Sequence, residues 1–141
     1  MSNQIIVSQL PLAHLECKFV FDGQKYDVDG FSMGFLQSSN YNGQPEHDVQ
    51  GGQMSVILSQ MPDNNLYLWA KKSTLLKSGV ILFQTDMGQT VLEIEFSNAY
   101  CINLSCGINA LTGSTTSLII SPESVKIYGI SHTNYWGVNK Y

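Results

Sequence analysis

The sequence predicts a mainly β domain, a small β-barrel or two-sheet sandwich of about eight strands with one flanking α-helix and a long extended loop. Three observations predict it. Segments that alternate apolar and polar residues recur along the chain, bounded by Gly, Asn, Asp and Pro. A single window, about 64–76, carries apolar residues at helical spacing. Between strand-like Phe31–Gln37 and Gln53–Leu58 lies a polar stretch, Ser38–Gly52, whose only sizeable apolar side chains are Tyr41 and Val49.

Taken in order, residues 1–12 hold Ile5-Ile6-Val7 and Leu10-Pro11-Leu12, an apolar N-terminal extension suited to a sheet edge or a neighbour. Ala13–Phe21 is a half-buried strand: Leu15, Cys17, Phe19 and Phe21 share one face, His14, Glu16, Lys18 and Val20 the other. Asp22-Gly23 supplies the positive-φ pair of a tight hairpin turn, and Gln24–Asp29 returns with Tyr26 and Val28 on one face. After the polar stretch, Met54, Val56 and Leu58 alternate with Ser55, Ile57 and Ser59. The helix begins after Pro62 with Asp63 or Asn64 as its cap, and Leu66, Trp69 and Ala70 form a stripe that seals one end or flank of the sheet. Ser78-Gly79 is expected to end it. Four more strands are expected at Val80–Thr85, Thr90–Asn98, Tyr100–Cys106 and Thr116–Tyr128. The last is broken or bulged at Pro122, and Gly107–Thr115 forms a polar connection. The barrel then spans 13–130, and 131–141 is an aromatic-rich tail.

A chain of 141 residues fits one domain. Only 13% of its residues are charged, against roughly a quarter in typical domains. So sparse a charge protects weakly against association and points to life packed against other molecules. The net charge is -4, and every basic residue is Lys. Without Arg there is no forked donor for phosphate or guanine, and no basic stripe forms, so nucleic acid is not expected as a partner. No apolar run reaches bilayer length and no secretory signal is recognisable at Met1–Leu12, which predicts no membrane insertion. Three Cys suggest reduced thiols in the cytoplasm.

Chemistry finds little footing. His14, His47 and His132 have no ligand spacing, and no metal or cofactor is expected. Cys101 and Cys106, on opposite faces of a regular strand, read as core thiols. Glu93 and Glu95 read as a solvated strand face, and Ser residues lack a nucleophile elbow. Gly51-Gly52-Gln53 is no phosphate loop, and a bulge or close backbone approach explains it better. Trp69 is expected in the core, and Trp136 is expected to bind something, either its own barrel or a neighbouring subunit. An enzyme is therefore not expected; it would need His47 or His132 to meet a carboxylate or Cys in one cleft.

The polar stretch carries more. Loops this long without secondary structure are uncommon in compact domains and usually serve a function. A merely flexible tract is the plainer reading, but Gly43, Pro45 and Gly51-Gly52 are turn punctuation, not linker repeats. The stretch reads as an arm projecting from the domain, ordered when it meets a partner.

Spread over about 125 positions, further motifs line up with a family. They are Asp22-Gly23-Gln24-Lys25-Tyr26-Asp27-Val28, Asn42-Gly43-Gln44-Pro45, Val49-Gln50-Gly51-Gly52-Gln53-Met54, Leu68-Trp69 and Lys77-Ser78-Gly79. Glu93-Ile94-Glu95-Phe96-Ser97-Asn98-Ala99-Tyr100-Cys101 and Asn134-Tyr135-Trp136 complete the set. In order and spacing the sequence resembles the Hcp-like tube proteins of bacterial type VI secretion systems, in the TssD branch of Bacteroides-like bacteria. The resemblance implies hexameric rings stacked into a hollow tube, driven out of the cell by a contractile sheath. Implied partners are copies of the chain itself, with sheath, spike and effector proteins. Implied localisation is cytoplasmic, with export through the machine itself. The implied contact with a neighbouring subunit or the next ring is the loop Asn40, Tyr41, Asn42, Gly43, Gln44, Pro45, Glu46, His47, Asp48 and Val49, with Tyr135 and Trp136 as a tail interface. Gln44 stands where many relatives carry a basic residue. The competing reading is a monomeric β-barrel that binds a small ligand or glycan in a deep apolar cavity.

Overall fold

The computed structural model describes residues 15–36 and 50–134. The elements are β1 (Leu15–Phe21), β2 (Gln24–Leu36), β3 (Gln50–Leu58), α1 (Asn64–Lys71), β4 (Lys77–Thr85), β5 (Thr90–Asn109), β6 (Gly113–Ile127) and β7 (Ile130–Thr133). All pairings are antiparallel and run in the order β3-β2-β1-β4-β5-β6-β7. A further pairing, Met54↔Ile120 to Leu58↔Thr116, joins β3 to β6. That seam closes β1–β6 into a barrel, with β7 appended along the far half of β6. Closure removes most of the edges that an open sheet would expose.

The expected fold class holds, with seven strands among the described residues and different bounds. The expected segments Gln24–Asp29 and Phe31–Gln37 are one strand, β2, which bulges at Asp29 between Val28↔Leu58 and Gly30↔Ile57. Thr90–Asn98 and Tyr100–Cys106 are likewise one strand, β5. Its Asn98 adopts φ 50, and its register slips at Ile102. Pro122 does not break β6, which runs through it. The supposed polar connection Gly107–Thr115 is mostly ladder, with Gly107↔Thr115, Ile108↔Ser114 and Asn109↔Gly113 in register. β7 was not expected; it follows a two-residue turn in which Tyr128 and Gly129 both have positive φ, the same geometry that Asp22 and Gly23 give the β1–β2 hairpin.

The interior is aromatic. Phe19 stacks on Phe21 with centroids 5.0 Å apart, and Trp69 lies 4.9 Å from Phe21 and 6.5 Å from Phe96. Met54, Val56, Leu58, Ile81, Ile94, Leu118 and Ile120 fill the remaining space. Trp69 is fully buried, as expected, and its Nε1–H donates to the Ala99 carbonyl (3.0 Å), which satisfies the indole's polar atom. The helix is anchored at its start. The Asp63 carboxylate accepts from the Leu66 amide (2.9 Å) through Oδ1 and from the Tyr26 hydroxyl (2.6 Å) through Oδ2. One side chain thus caps α1 and ties it to β2.

The helix ends at Lys71 with Lys72 as its C-cap, not near Gly79. Gly79 lies inside β4, where a Cβ would sit 2.5 Å from the Val20 carbonyl oxygen, 2.8 Å from Phe96 Cζ and 2.9 Å from Phe21 Cβ. The glycine is required by close packing of the β4 backbone on the aromatic core. Glu93 and Glu95 are solvated, as expected. Cys101 is buried, but Cys106 is exposed and is no core thiol: it lies on the far half of β5, past the last β4 pairing at Ala99, where the strand pairs with β6 alone among the described residues.

Two outcomes follow from this packing. Gly79→Ala should lower stability by about 1–3 kcal/mol, read as a lower denaturant midpoint; an unchanged midpoint would contradict the close approach. Burial pushes the Cys17 and Cys101 thiols up to about 11, and burial followed by the Asp63 hydrogen bond pushes the Tyr26 hydroxyl up as well. The folded state then keeps protons that the unfolded chain releases above the ordinary thiol range, so stability must fall as pH rises. The melting temperature should decline between about pH 8 and about pH 11, and a flat profile would count against these burials.

Candidate docking site at the root of the long loop

The loop between β2 and β3 starts beyond Leu36 and ends before Gln50. Asn40, Tyr41, Asn42, Gly43, Gln44, Pro45, Glu46, His47, Asp48 and Val49 lie outside the described residues, as do Tyr135, Trp136, His14 and the extension 1–12. What the structure gives is the root from which the loop and tail depart.

That root is built from both strands and from β7. β2 and β3 stay paired up to Phe35↔Gly51 and Leu36↔Gln50, so the loop is held at both ends by a ladder. The register skips Gly52 between Gly34↔Gln53 and Phe35↔Gly51, making Gly52 the extra residue of a bulge. Its φ of +77 lies where side chains are disfavoured, and a Cβ there would press on Val125 Cγ2 at 3.1 Å. At Gly51 a Cβ would meet Phe35 Cα at 2.4 Å and the Gly34 carbonyl oxygen at 2.7 Å. The Gly-Gly pair therefore serves a bulge and a close backbone approach, as the sequence suggested.

Asn134, immediately after β7, occupies the same place. Its Nδ2 donates to the carbonyl oxygens of Gly51 (2.8 Å) and Pro122 (3.0 Å), and its Oδ1 accepts from the Gly51 N–H (3.2 Å). Its own backbone N–H donates to the Glu123 carbonyl (2.7 Å). These partners fix the orientation of the carboxamide: with Oδ1 an obligate acceptor, His132 Nε2 at 3.0 Å must carry the proton between them. The His132 ring stands edge-on to Phe35 (85°, centroids 5.0 Å apart), a half-exposed aromatic at the mouth of the loop. The start of β3 and the end of β7 are thus pinned together at Gly51 and Asn134.

From sequence Asn134 appears only within the Asn134-Tyr135-Trp136 motif, with no role of its own, and Phe35 is not singled out. Asn134 acts on peptide groups of residues 51 and 122, and no local pattern marks a side chain whose partners are distant backbone atoms. His132, weighed as a catalytic candidate, meets an amide and a phenyl ring here, not a carboxylate or thiol.

The surroundings are poor in charge. None of residues 30–36, 50–62 or 97–122 is charged. The ion pairs Lys18–Asp27, Lys18–Glu16 (3.8 Å) and Lys77–Asp22 (2.9 Å) gather instead on the β1–β2 hairpin. Among the described residues, no group of three or more His, Cys, Asp or Glu is placed to hold a metal ion, and no helix is long and apolar enough to cross a membrane.

Comparison with known proteins agrees with this architecture. The family profile described as hemolysin coregulated protein Hcp (TssD) matches residues 13–137. No curated protein matches in sequence. Among solved structures, Hcp1 from Flavobacterium johnsoniae is similar at a TM-score of 0.77 and 20% identity, covering 84% of this chain and 99% of that one. Hcp1 from Salmonella typhimurium follows at 0.66 and 13%, covering 85% and 92%. A chain of the PVC sheath-tube complex of an extracellular contractile injection system is similar at 0.59 and 16%, covering 95% and 99%. With the profile spanning most of its length and the barrel, helix and loop root in place, the chain belongs to the Hcp (TssD) family.

Proposed function

We propose that this chain is a structural subunit of the inner tube of a contractile, type VI-like secretion machine. Six copies close into a ring, and rings stack into a hollow needle that carries effectors in its lumen. Asn40 to Val49 form the contact with a neighbouring subunit or the next ring, and Tyr135 and Trp136 form a second contact beside it. A barrel over 13–130, an extension over 1–12 and a tail over 131–141 are the corresponding division of the chain. Sheath, spike and effector proteins complete its partners, and it acts as scaffold, not catalyst.

The observation that carries this reading is the joint root of loop and tail. The ladder, the Gly52 bulge and the Asn134 clamp fix the base of the loop, which suits a segment that has to meet a partner. Family membership supplies the assembly to which such a projection belongs. A second support is the far half of β5, residues 102–109, which among the described residues pairs with β6 alone. Ile102–Leu104 line a surface pocket with Tyr67, Ala70 and Lys71 of α1; beyond it the outer edge carries no charged residue, and Ile108 and, in the turn that follows, Leu111 are exposed. Solitary proteins guard such edges with charge, and assembling ones cover them with a neighbour. Closed assembly through head-to-tail contacts gives rings, and a second such interface stacks them. The monomeric ligand-binding barrel finds little support, since Phe19, Phe21, Trp69, Phe96 and Met54 fill the barrel's interior.

Replacing Tyr41 and Val49 with Asp should abolish ring and tube formation in light scattering and negative-stain images, with the circular dichroism of the barrel unchanged. Charge buried without a partner costs several kcal/mol, enough to lose a weak repeated contact. Assembly of the double variant at the parent's concentration would overturn the role given to the loop.

A further inference from the structure

β6 has two successive neighbours on one side. Over Thr116–Ile120 it pairs with β3, and over Ser124–Ile127 with β7. The change falls at Pro122, which has no N–H to offer a ladder. Beyond Met54 the edge of β3 is thus left by β6, and there the N–H and C=O of Gly51 turn toward Asn134. A carboxamide has the shape and polarity of a peptide group: one acceptor and two donors on a planar unit. Asn134 uses all three, taking both polar groups of Gly51 and reaching across to the Pro122 carbonyl. It replaces the missing strand for one residue of β3, the second described residue after the loop.

We propose that Asn134 is the positioning residue of the loop's base, coupling the start of β3 to the end of β7. The side chain holds Gly51, at the base of the loop, in place, and it does so only while β7 is seated on β6. The start of β3 and the end of β7 then form one unit at the base of the loop. This rests on the assembly reading above. The chemistry is particular to Asn. Asp sets a carboxylate against the carbonyl oxygens of Gly51 and Pro122, turning two attractions into repulsions. Ala leaves all three backbone groups without this partner, and Gln places its amide one methylene too far.

The test uses Asn134→Asp and Asn134→Ala in the full chain, with amide hydrogen exchange at Gly51 and the concentration at which rings form. Exchange at Gly51 should rise about tenfold, as expected for the loss of one net hydrogen bond. The concentration needed for rings should rise by a similar or larger factor, with the melting temperature held within a few degrees. A residue serving stability alone would move the melting temperature and leave the ring threshold of folded protein where it was. Unchanged exchange at Gly51 in both variants overturns the clamp, and faster exchange with an unchanged ring threshold overturns its role in positioning. If Asn134→Asp does not fold, Asn134→Ala is read in the same way. Failure of the parent chain to form rings strikes the assembly reading, while exchange at Gly51 still judges the clamp.

Discussion

Everything in this molecule depends on how β6 spends its hydrogen-bonding edge. Its first half closes the barrel against β3, which buries Met54, Val56 and Leu58 against Leu118 and Ile120. Its second half takes β7 instead. Had β6 stayed with β3 throughout, the base of the loop would be an ordinary ladder with no place for a tail. Had it left β3 sooner, the barrel would be open and its aromatic core wet. Pro122 stands at the handover, with Gly51, Gly52, His132 and Asn134 around it.

The physical division between the two regions is sharp. The core is held by shape: Phe19, Phe21, Trp69 and Phe96 interleave, Gly79 lets β4 approach them, and Asp63 ties the helix to Tyr26. Such packing tolerates little change in volume. The loop root is held by polar contacts to backbone atoms, which fix direction while burying little apolar surface. Charge is confined largely to the β1–β2 hairpin, the ends of α1 and the first half of β5, so the bare half of β5 and the exposed tip of its hairpin with β6 face outward without electrostatic protection. A surface of that kind suits a protein completed by its neighbours.

Much of this was legible in the residues. Period-two alternation in 15–21, 54–58 and 92–96 gave the buried faces, Asp22-Gly23 gave the first hairpin, and Leu66 with Trp69 gave the helix and its buried side. What failed was local punctuation read as termination. Gly30, Asn98, Gly107 and Pro122 were expected to end or break strands, yet bulges and an edge position absorb each of them, because cross-strand pairing outweighs the local preference of one residue. Gly79 was given to the helix end for the same reason: its purpose is set by Phe21 and Phe96, distant in sequence. The long loop was visible as a departure from the β pattern. Its clamp was not, since a side chain that imitates a strand leaves no period behind.

The central claim is that this loop completes a neighbouring molecule. An electron cryomicroscopy reconstruction of the chain assembled at high concentration tests it most directly. The account predicts sixfold rings in which residues 37–49 of each copy lie against another copy, with the root at Gly51 and Asn134 intact. A solitary barrel with the same residues folded back over its own strands would contradict it.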